Sequence, residues 1–141
     1  MRGGCIPDNA VRGGVDGNGE TNYVARAVHE GNLLPGRVAS TGRAYVSYEN
    51  EEYCKEHYEV LLADCDVDWI EWDGENQPTG IIQGGLTKDG EPLYIGRAHH
   101  RDFTITGKVQ LSKQACFIPF DGEEWSYEDF EVLVCGAIRL V

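Results

Sequence analysis

Apolar and polar residues alternate along this chain over short stretches with a period of two, which is the signature of half-buried strands. Residues 22–28, 43–48, 58–62, 68–72, 93–97, 116–120 and 130–134 carry it, and they are rich in β-branched and aromatic side chains. Turn dipeptides punctuate them: Asn18-Gly19, Pro35-Gly36, Asp73-Gly74, Asp89-Gly90 and Asp121-Gly122. No window offers ten or more residues of helical periodicity, and residues 53–57 and 125–129 are expected to make at most one short turn each. The pattern predicts an all-β, antiparallel protein.

The strands come in two matching sets. Gly13-Gly14-Val15-Asp16 returns as Gly84-Gly85-Leu86-Thr87, and Gly19-Glu20 as Gly90-Glu91. Tyr23-Val24-Ala25-Arg26-Ala27 returns as Tyr94-Ile95-Gly96-Arg97-Ala98, Gly36-Arg37-Val38 as Gly107-Lys108-Val109, and Tyr58-Glu59-Val60-Leu61 as Phe130-Glu131-Val132-Leu133. The offset is about 71 residues, with one residue inserted late in the second copy. Two copies are too few for an open solenoid, so a single domain with pseudo-two-fold symmetry is expected, each half covering the other's apolar face. Repeat one spans about 7–68 and repeat two about 69–136. Asn18-Gly19 and Asp89-Gly90 sit at matching places and predict a type I′ hairpin in each half. The strand equivalent to 69–72 is missing before the first copy. The apolar segment 137–141 is expected to fill that vacancy as a closing strand, so that its removal unfolds or aggregates the protein.

Charge narrows the partners. With 24 acidic against 12 basic residues the formal charge is −12, which argues against nucleic acid or an anionic membrane and favours a neutral ligand. No apolar run approaches the ~20 residues of a membrane span. Nor does the start of the chain read as a secretory signal, so the expected location is cytoplasmic, or secreted without a signal peptide. The five cysteines (Cys5, Cys54, Cys65, Cys116, Cys135) do not recur between the copies and are read as mostly reduced thiols at core or strand positions. No Cys-x-x-Cys pair suggests structural zinc.

Several recurring groups invite a chemical reading. The segment from Asp16 to Glu20 is similar to the start of a calcium-binding loop, but no acid follows at the required distance, and Lys88 falls inside the equivalent of the second copy. His29 and His100 are read as structural hydrogen-bonding residues in preference to metal ligands. Arg26 with Glu20, and Arg97 with Glu91, are expected to form a buried ion pair in each half. Glu51-Glu52 and Glu123-Glu124 do not make a hydrolase pair, because neighbours on a strand face opposite sides. Among Trp69, Trp72 and Trp125, which are candidates for stacking on a sugar, Trp69 at least is expected in the core. No catalytic residue, metal or cofactor is expected.

The ordered motifs Gly-Gly-x-Asp/Thr, Gly-Glu, Tyr-Val/Ile-x-Arg-Ala, Gly-Arg/Lys-Val and Tyr/Phe-Glu-Val-Leu resemble the DM-nine repeat family over residues 7–134. That family includes small mannose-binding lectins of molluscs, with related repeats in insect, flatworm and natterin-like proteins. The resemblance implies a metal-independent lectin, commonly a homodimer, that binds mannose or mannose-containing glycans on microbial surfaces. In the mannose-binding members an aspartate of the first motif and a lysine of the Gly-Lys-Val motif hold sugar hydroxyls. Here those places are Asp16 and Arg37 in the first copy, and Thr87 and Lys108 in the second. A carboxylate that accepts and a cation that donates suit the vicinal hydroxyls of a hexose. Arginine is not a simple stand-in for lysine, and threonine replaces the acid in the second copy. Two readings therefore stand beside each other. In one, Asp16, Arg37 and Lys108 bind sugar. In the other, Asp16 caps its turn, Arg37 is a solvated surface charge, and the protein is a non-catalytic scaffold. Asp16 before its hairpin turn and Arg37 after the Pro-Gly bend are both expected on loops, where a shallow site is easily built.

Overall fold

The computed structural model describes residues 6–16 and 19–136. The segment 137–141, expected above as a closing strand, lies outside the described residues.

Among the described residues, thirteen strands form one continuous antiparallel sheet. The first copy supplies β1 (Arg12–Val15), β2 (Thr21–His29), β3 (Asn32–Ala39), β4 (Ala44–Tyr48), β5 (Glu51–Lys55) and β6 (Glu59–Val60). β7 (Val67–Trp72) follows. The second copy supplies β8 (Gln83–Leu86), β9 (Pro92–His100), β10 (Phe103–Gln110), β11 (Ala115–Phe120), β12 (Glu123–Tyr127) and β13 (Phe130–Cys135). Strands β1 to β6 correspond one by one to β8 to β13. Pairings close a barrel of eight strands in the order β3, β4, β5, β12, β11, β10, β9, β8 and back to β3, where Leu33 meets Leu86. Closure removes the edges that an open sheet of this size would expose. The all-β antiparallel, pseudo-two-fold architecture is as the residue pattern predicts.

Symmetry is achieved by exchange. The Gly-Gly strand of each copy pairs with its own second strand and crosses tightly onto the third strand of the other copy. A Cβ on Gly14 would lie 2.3 Å from the Thr104 carbonyl oxygen, and one on Gly85 would lie 2.0 Å from that of Leu33. Only glycine permits backbones to approach so closely. The two repeated arginines lock the same crossings. Arg26 donates to the Gly84 carbonyl and Arg97 to that of Gly13, each reaching into the opposite copy. Their carboxylate partners are Glu59 at 2.8 Å and Glu131 at 2.7 Å. The expected partners Glu20 and Glu91 are occupied elsewhere, by Ser40 and by Gln110 with Ser112. Residues in the Glu-Val-Leu motif reach the arginines because β6 and β13 lie directly alongside β2 and β9.

Apolar residues of the alternating pattern gather in three clusters. One belongs to the second copy and includes Ile105, Val109, Cys116, Ile118, Val132 and Trp72. Another belongs to the first copy but takes in Leu93 of the second. The third, Val11, Val24, Ile95 and Leu133, joins the copies, with Trp69 packed half-buried against it. Trp72, not Trp69, is the fully buried indole. Cys116 fills a core position, where burial pushes its thiol well above the ordinary range. Cys54 lies exposed on β5, and Cys65 meets Cys135 with sulfurs 3.1 Å apart.

Three local expectations are corrected. Pro35-Gly36 is not a bend but the middle of β3. The proline sits between Leu33, which pairs with β8, and Arg37, which pairs with β4, so its missing N–H falls where the strand changes neighbour. Residues 53–57 and 125–129, expected as short turns, instead give their first residues to β5 and β12. The turns Glu49-Asn50 (φ 47 and 73) and Asp121-Gly122 (φ 53 and 81) fold these strands back, and the paired positive φ values are those of type I′. The hairpin at Asp89-Gly90 is not type I′. Only Gly90 has positive φ, the Gly90 N–H bonds the Thr87 carbonyl and the Thr87 N–H bonds that of Glu91. That is a three-residue loop with a glycine bulge. Asp16, Gly19 and Glu20 make the same two bonds in the first copy.

Candidate functional site

The two repeated basic residues mark two related clefts, one on each side of the junction between β5 and β12. Arg37 projects from β3 and Lys108 from β10, and both are buried. Arg37 is therefore neither solvated nor on a loop. Its Nε donates to the Pro119 carbonyl at 3.1 Å, Nη1 to Asn22 Oδ1 at 3.0 Å and Nη2 to the Glu52 carboxylate at 3.3 Å. The guanidinium lies over the Tyr45 ring, 4.6 Å from its centroid, with Phe120 at 6.0 Å. Lys108 repeats this arrangement by symmetry. Its Nζ donates to the Ser47 carbonyl at 2.6 Å and lies 3.1 Å from the Glu124 carboxylate, between the rings of Tyr48 and Phe117. Burial lowers the Lys108 pKa below the ordinary lysine value, and Glu124 opposes the shift without cancelling it.

Each site needs both copies. Arg37 and Glu52 belong to the first, but Pro119 and Phe120 come from the second; Lys108 and Glu124 belong to the second, but Ser47 and Tyr48 come from the first. The glutamates also bridge. Glu52 accepts the Gly122 N–H at 3.0 Å, and Glu124 accepts the Asn50 N–H at 3.2 Å. Each carboxylate thereby ties its cation to the type I′ turn of the other repeat.

Asp16 lies at the mouth of the first cleft. That cleft measures about 410 Å³ and is lined by Asp16, Glu20, Arg37, Tyr45, Phe103 and Phe120 among others. Asp16 Oδ1 accepts the Glu20 N–H at 3.1 Å, so the residue caps its turn and faces the cleft at once. In the second cleft, of about 220 Å³, Thr87 takes the equivalent place, and its hydroxyl accepts the Glu91 N–H at 3.0 Å. Thr87, Glu91, Lys108, Phe117 and Tyr48 line it. Burial alone would raise Glu91, but hydrogen bonds from Gln110 and Ser112 outweigh it and hold the carboxyl below the usual range. The structure thus brings Asp16 together with Arg37, and Thr87 together with Lys108. Each cleft offers an acceptor at the rim, a buried cation at the base and an aromatic wall.

Residue-by-residue reading missed Glu52, Glu124 and the aromatic pairs Tyr45/Phe117 and Tyr48/Phe120. Their signal was present, since each recurs at the shifted late offset. Glu52 and Glu124 are the members of their Glu-Glu pairs that face inward, as strand alternation requires of one in each.

His29 and His100 sit behind the aromatic walls. His29 packs on Tyr48 and Tyr53 with centroids at 5.5 and 4.1 Å, and His100 on Phe120 and Trp125 at 5.1 and 4.7 Å. His100 Nδ1 bonds the Tyr127 hydroxyl, and His29 Nε2 lies 3.1 Å from Glu30. Among the described residues no group of three or more His, Cys, Asp or Glu side chains converges as metal ligands do. Both imidazoles are held below the ordinary value of 6.5, chiefly by burial. Lys55 pushes His29 further down while Glu30 partly opposes, and Arg101 pushes His100 down. The folded state then binds fewer protons than the unfolded chain just below pH 6.5. This contribution to stability is complete above that pH and is lost as the pH falls through the folded values. The urea midpoint should therefore drop between about pH 7 and pH 5.5, and His100→Gln should flatten the slope. Equal midpoints in the unaltered protein would contradict the burial of neutral imidazoles.

Comparison with known proteins agrees with this architecture. The family model for the DM9 repeat matches residues 16–127. Natterin-3 of Thalassophryne nattereri is 26% identical over 130 residues, covering 92% of this chain and 34% of that protein. The crystal structure of the nematode sperm cell motility protein MFP2B superposes with a TM-score of 0.75 at 17% identity, over 94% of this chain and 44% of that one. The second likeness shows a shared fold. This chain spans about a third of the first relative and less than half of the second. No helix among the described residues is long and apolar enough to cross a membrane.

Proposed function

This chain belongs to the DM9 repeat family, and from that premise we propose that it is a metal-independent carbohydrate-binding protein whose ligand is mannose or a mannose-containing glycan. The observation that carries the reading is the pair of symmetry-related clefts, each with a rim acceptor (Asp16 or Thr87), a buried cation (Arg37 or Lys108) and an aromatic wall. A pyranose ring has an apolar face that suits the aromatic wall and hydroxyls that suit the charged groups. Clefts of about 410 and 220 Å³ suit one sugar ring, near or below the lower end of the roughly 300–1,000 Å³ pockets of drug-sized ligands. The reading is binding and not turnover, because the inward carboxylates Glu52 and Glu124 are committed to ion pairs and to the opposite turns. Two clefts per chain, doubled in a homodimer, give avidity on a glycan-coated microbial surface.

A glycan array probed in the presence of EDTA tests this. Mannose-terminated glycans are expected to retain the protein, with free mannose eluting it. Asp16→Ala should weaken binding at least about tenfold, the worth of one charge-assisted hydrogen bond. A blank array would favour the second reading, a scaffold without sugar affinity. One observation speaks for that alternative: all three guanidinium nitrogens of Arg37 already have protein partners.

A further inference from the structure

Among the described residues, the fold brings together two cysteines that lie 70 positions apart in sequence. Cys135 is the last residue of β13, opposite Val67 at the start of β7. Cys65 lies two residues before Val67, in the connection that carries the chain out of the first repeat. Their sulfurs stand 3.1 Å apart. Backbone hydrogen bonds fix both sides of the contact. The Gly136 N–H donates to the Asp66 carbonyl at 3.0 Å, and the Cys135 N–H to that of Gly80 at 2.9 Å. Cys65 is exposed and Cys135 half-buried, so a reagent in solution reaches the first sulfur and the first reaches the second. The other described cysteines are placed differently. Cys116 is sealed in the core, and Cys54 stands exposed on β5. The duplication does not supply the contact, since the first-copy counterpart of Cys135 is Ala63.

We propose that Cys65 and Cys135 form a reversible disulfide that staples the start of β7 to the end of β13. The reaction is exchange with a low-molecular-weight disulfide such as oxidised glutathione. The Cys65 thiolate attacks one sulfur of that disulfide, whose S–S bond breaks and releases one glutathione thiolate. The Cys135 thiolate then attacks the Cys65 sulfur of the mixed disulfide, and the second glutathione leaves. The two cysteine protons end on the two glutathione thiols. The cysteine pair is oxidised by two electrons, and the glutathione disulfide is reduced by two. To reach bonding distance the sulfurs approach by only about 1 Å. The consequence follows from the loop that is closed. Residues 65–135 contain β7 and the whole second copy, and joining their ends restricts the unfolded chain. Stability therefore responds to the surroundings, with the bond open where glutathione is kept reduced and closed where conditions are oxidising. This inference does not rest on the sugar-binding reading.

Peptide mapping of the full chain tests it, after incubation with oxidised or reduced glutathione at about pH 8 and alkylation of the remaining thiols. The Cys65 and Cys135 peptides are expected joined after oxidation, two hydrogens lighter than their sum, and separate after reduction. The oxidised chain should melt at least about 5 °C higher, and dithiothreitol should abolish the difference. Cys135→Ser should hold Cys65 as a mixed disulfide with glutathione and lose the thermal gain. Should that variant fail to fold, Cys65→Ser, at the exposed position, must lose the same gain. Cys54→Ser should leave both results unchanged. Three results would overturn the proposal: Cys65 joined to Cys5 or Cys54, thiols left unlinked by oxidised glutathione, or a linked chain with an unshifted melt.

Discussion

Glu124→Leu is expected to destabilise the protein by ~3–5 kcal/mol, because it leaves the Lys108 ammonium buried without its counter-charge. Three features make this larger than an ordinary ion-pair loss. Both side chains are buried, so solvent does not screen the stranded charge. Glu124 also accepts the Ser47 hydroxyl at 2.8 Å and the Asn50 N–H, and both donors lose their partner. Finally, Lys108 is already held below its ordinary pKa by burial, and losing Glu124 lowers it further. The sign of the pH dependence follows. A lysine depressed in the folded state releases its proton before the unfolded chain does, so the variant regains stability as pH rises toward 10.5. Urea unfolding at neutral and alkaline pH checks both points. Replacing Lys108 and Glu124 together by leucine should recover most of the loss, since no buried charge then remains. A single variant within about 0.5 kcal/mol of the parent would show that the pair is not buried as described.

Gly85→Ala is expected to cost ~3 kcal/mol or prevent folding. Its Cβ would fall 2.0 Å from the Leu33 carbonyl oxygen and 3.0 Å from Pro35 Cδ. Neither neighbour is the end of a flexible side chain. To relieve the clash, β8 must separate from β3 at the one pairing that closes the barrel. Gly136→Ala is the control: a Cβ there meets nothing within 4 Å, and the change should stay within about 0.5 kcal/mol. Thermal melts of the two variants compare them directly. Equal melting temperatures would mean that the glycine crossing does not hold the repeats together.

The duplicated sequence made the strands and the two-fold relation legible, because period-two alternation and a fixed offset are local properties. It did not reveal the exchange. Gly13-Gly14 and Gly84-Gly85 look like flexible turn residues until the strand each one crosses is known, and that strand lies in the other copy. Pro35-Gly36 has the composition of a bend, yet β3 tolerates it where it changes neighbours. At the site, Asp16, Arg37 and Lys108 were marked out by the resemblance of their motifs to the DM-nine repeat. The carboxylates Glu52 and Glu124 were not, since a Glu-Glu pair on a strand, once rejected as a hydrolase pair, shows no role until a cation is placed opposite one member. Likewise Arg26 and Arg97 asked for acids, and the nearest in sequence were not the nearest in space.

The proposed function requires that two symmetry-related clefts, each assembled from both repeats, take a sugar ring between a rim acceptor and a buried cation. Titration of the isotope-labelled protein with methyl α-mannoside in EDTA, followed by amide chemical shifts, tests it most directly. Saturable shifts are expected, confined to Asp16, Glu20, Arg37 and Tyr45 in one cleft and to Thr87, Glu91, Lys108 and Phe117 in the other. Shifts elsewhere on the surface, or none at either cleft, would contradict it.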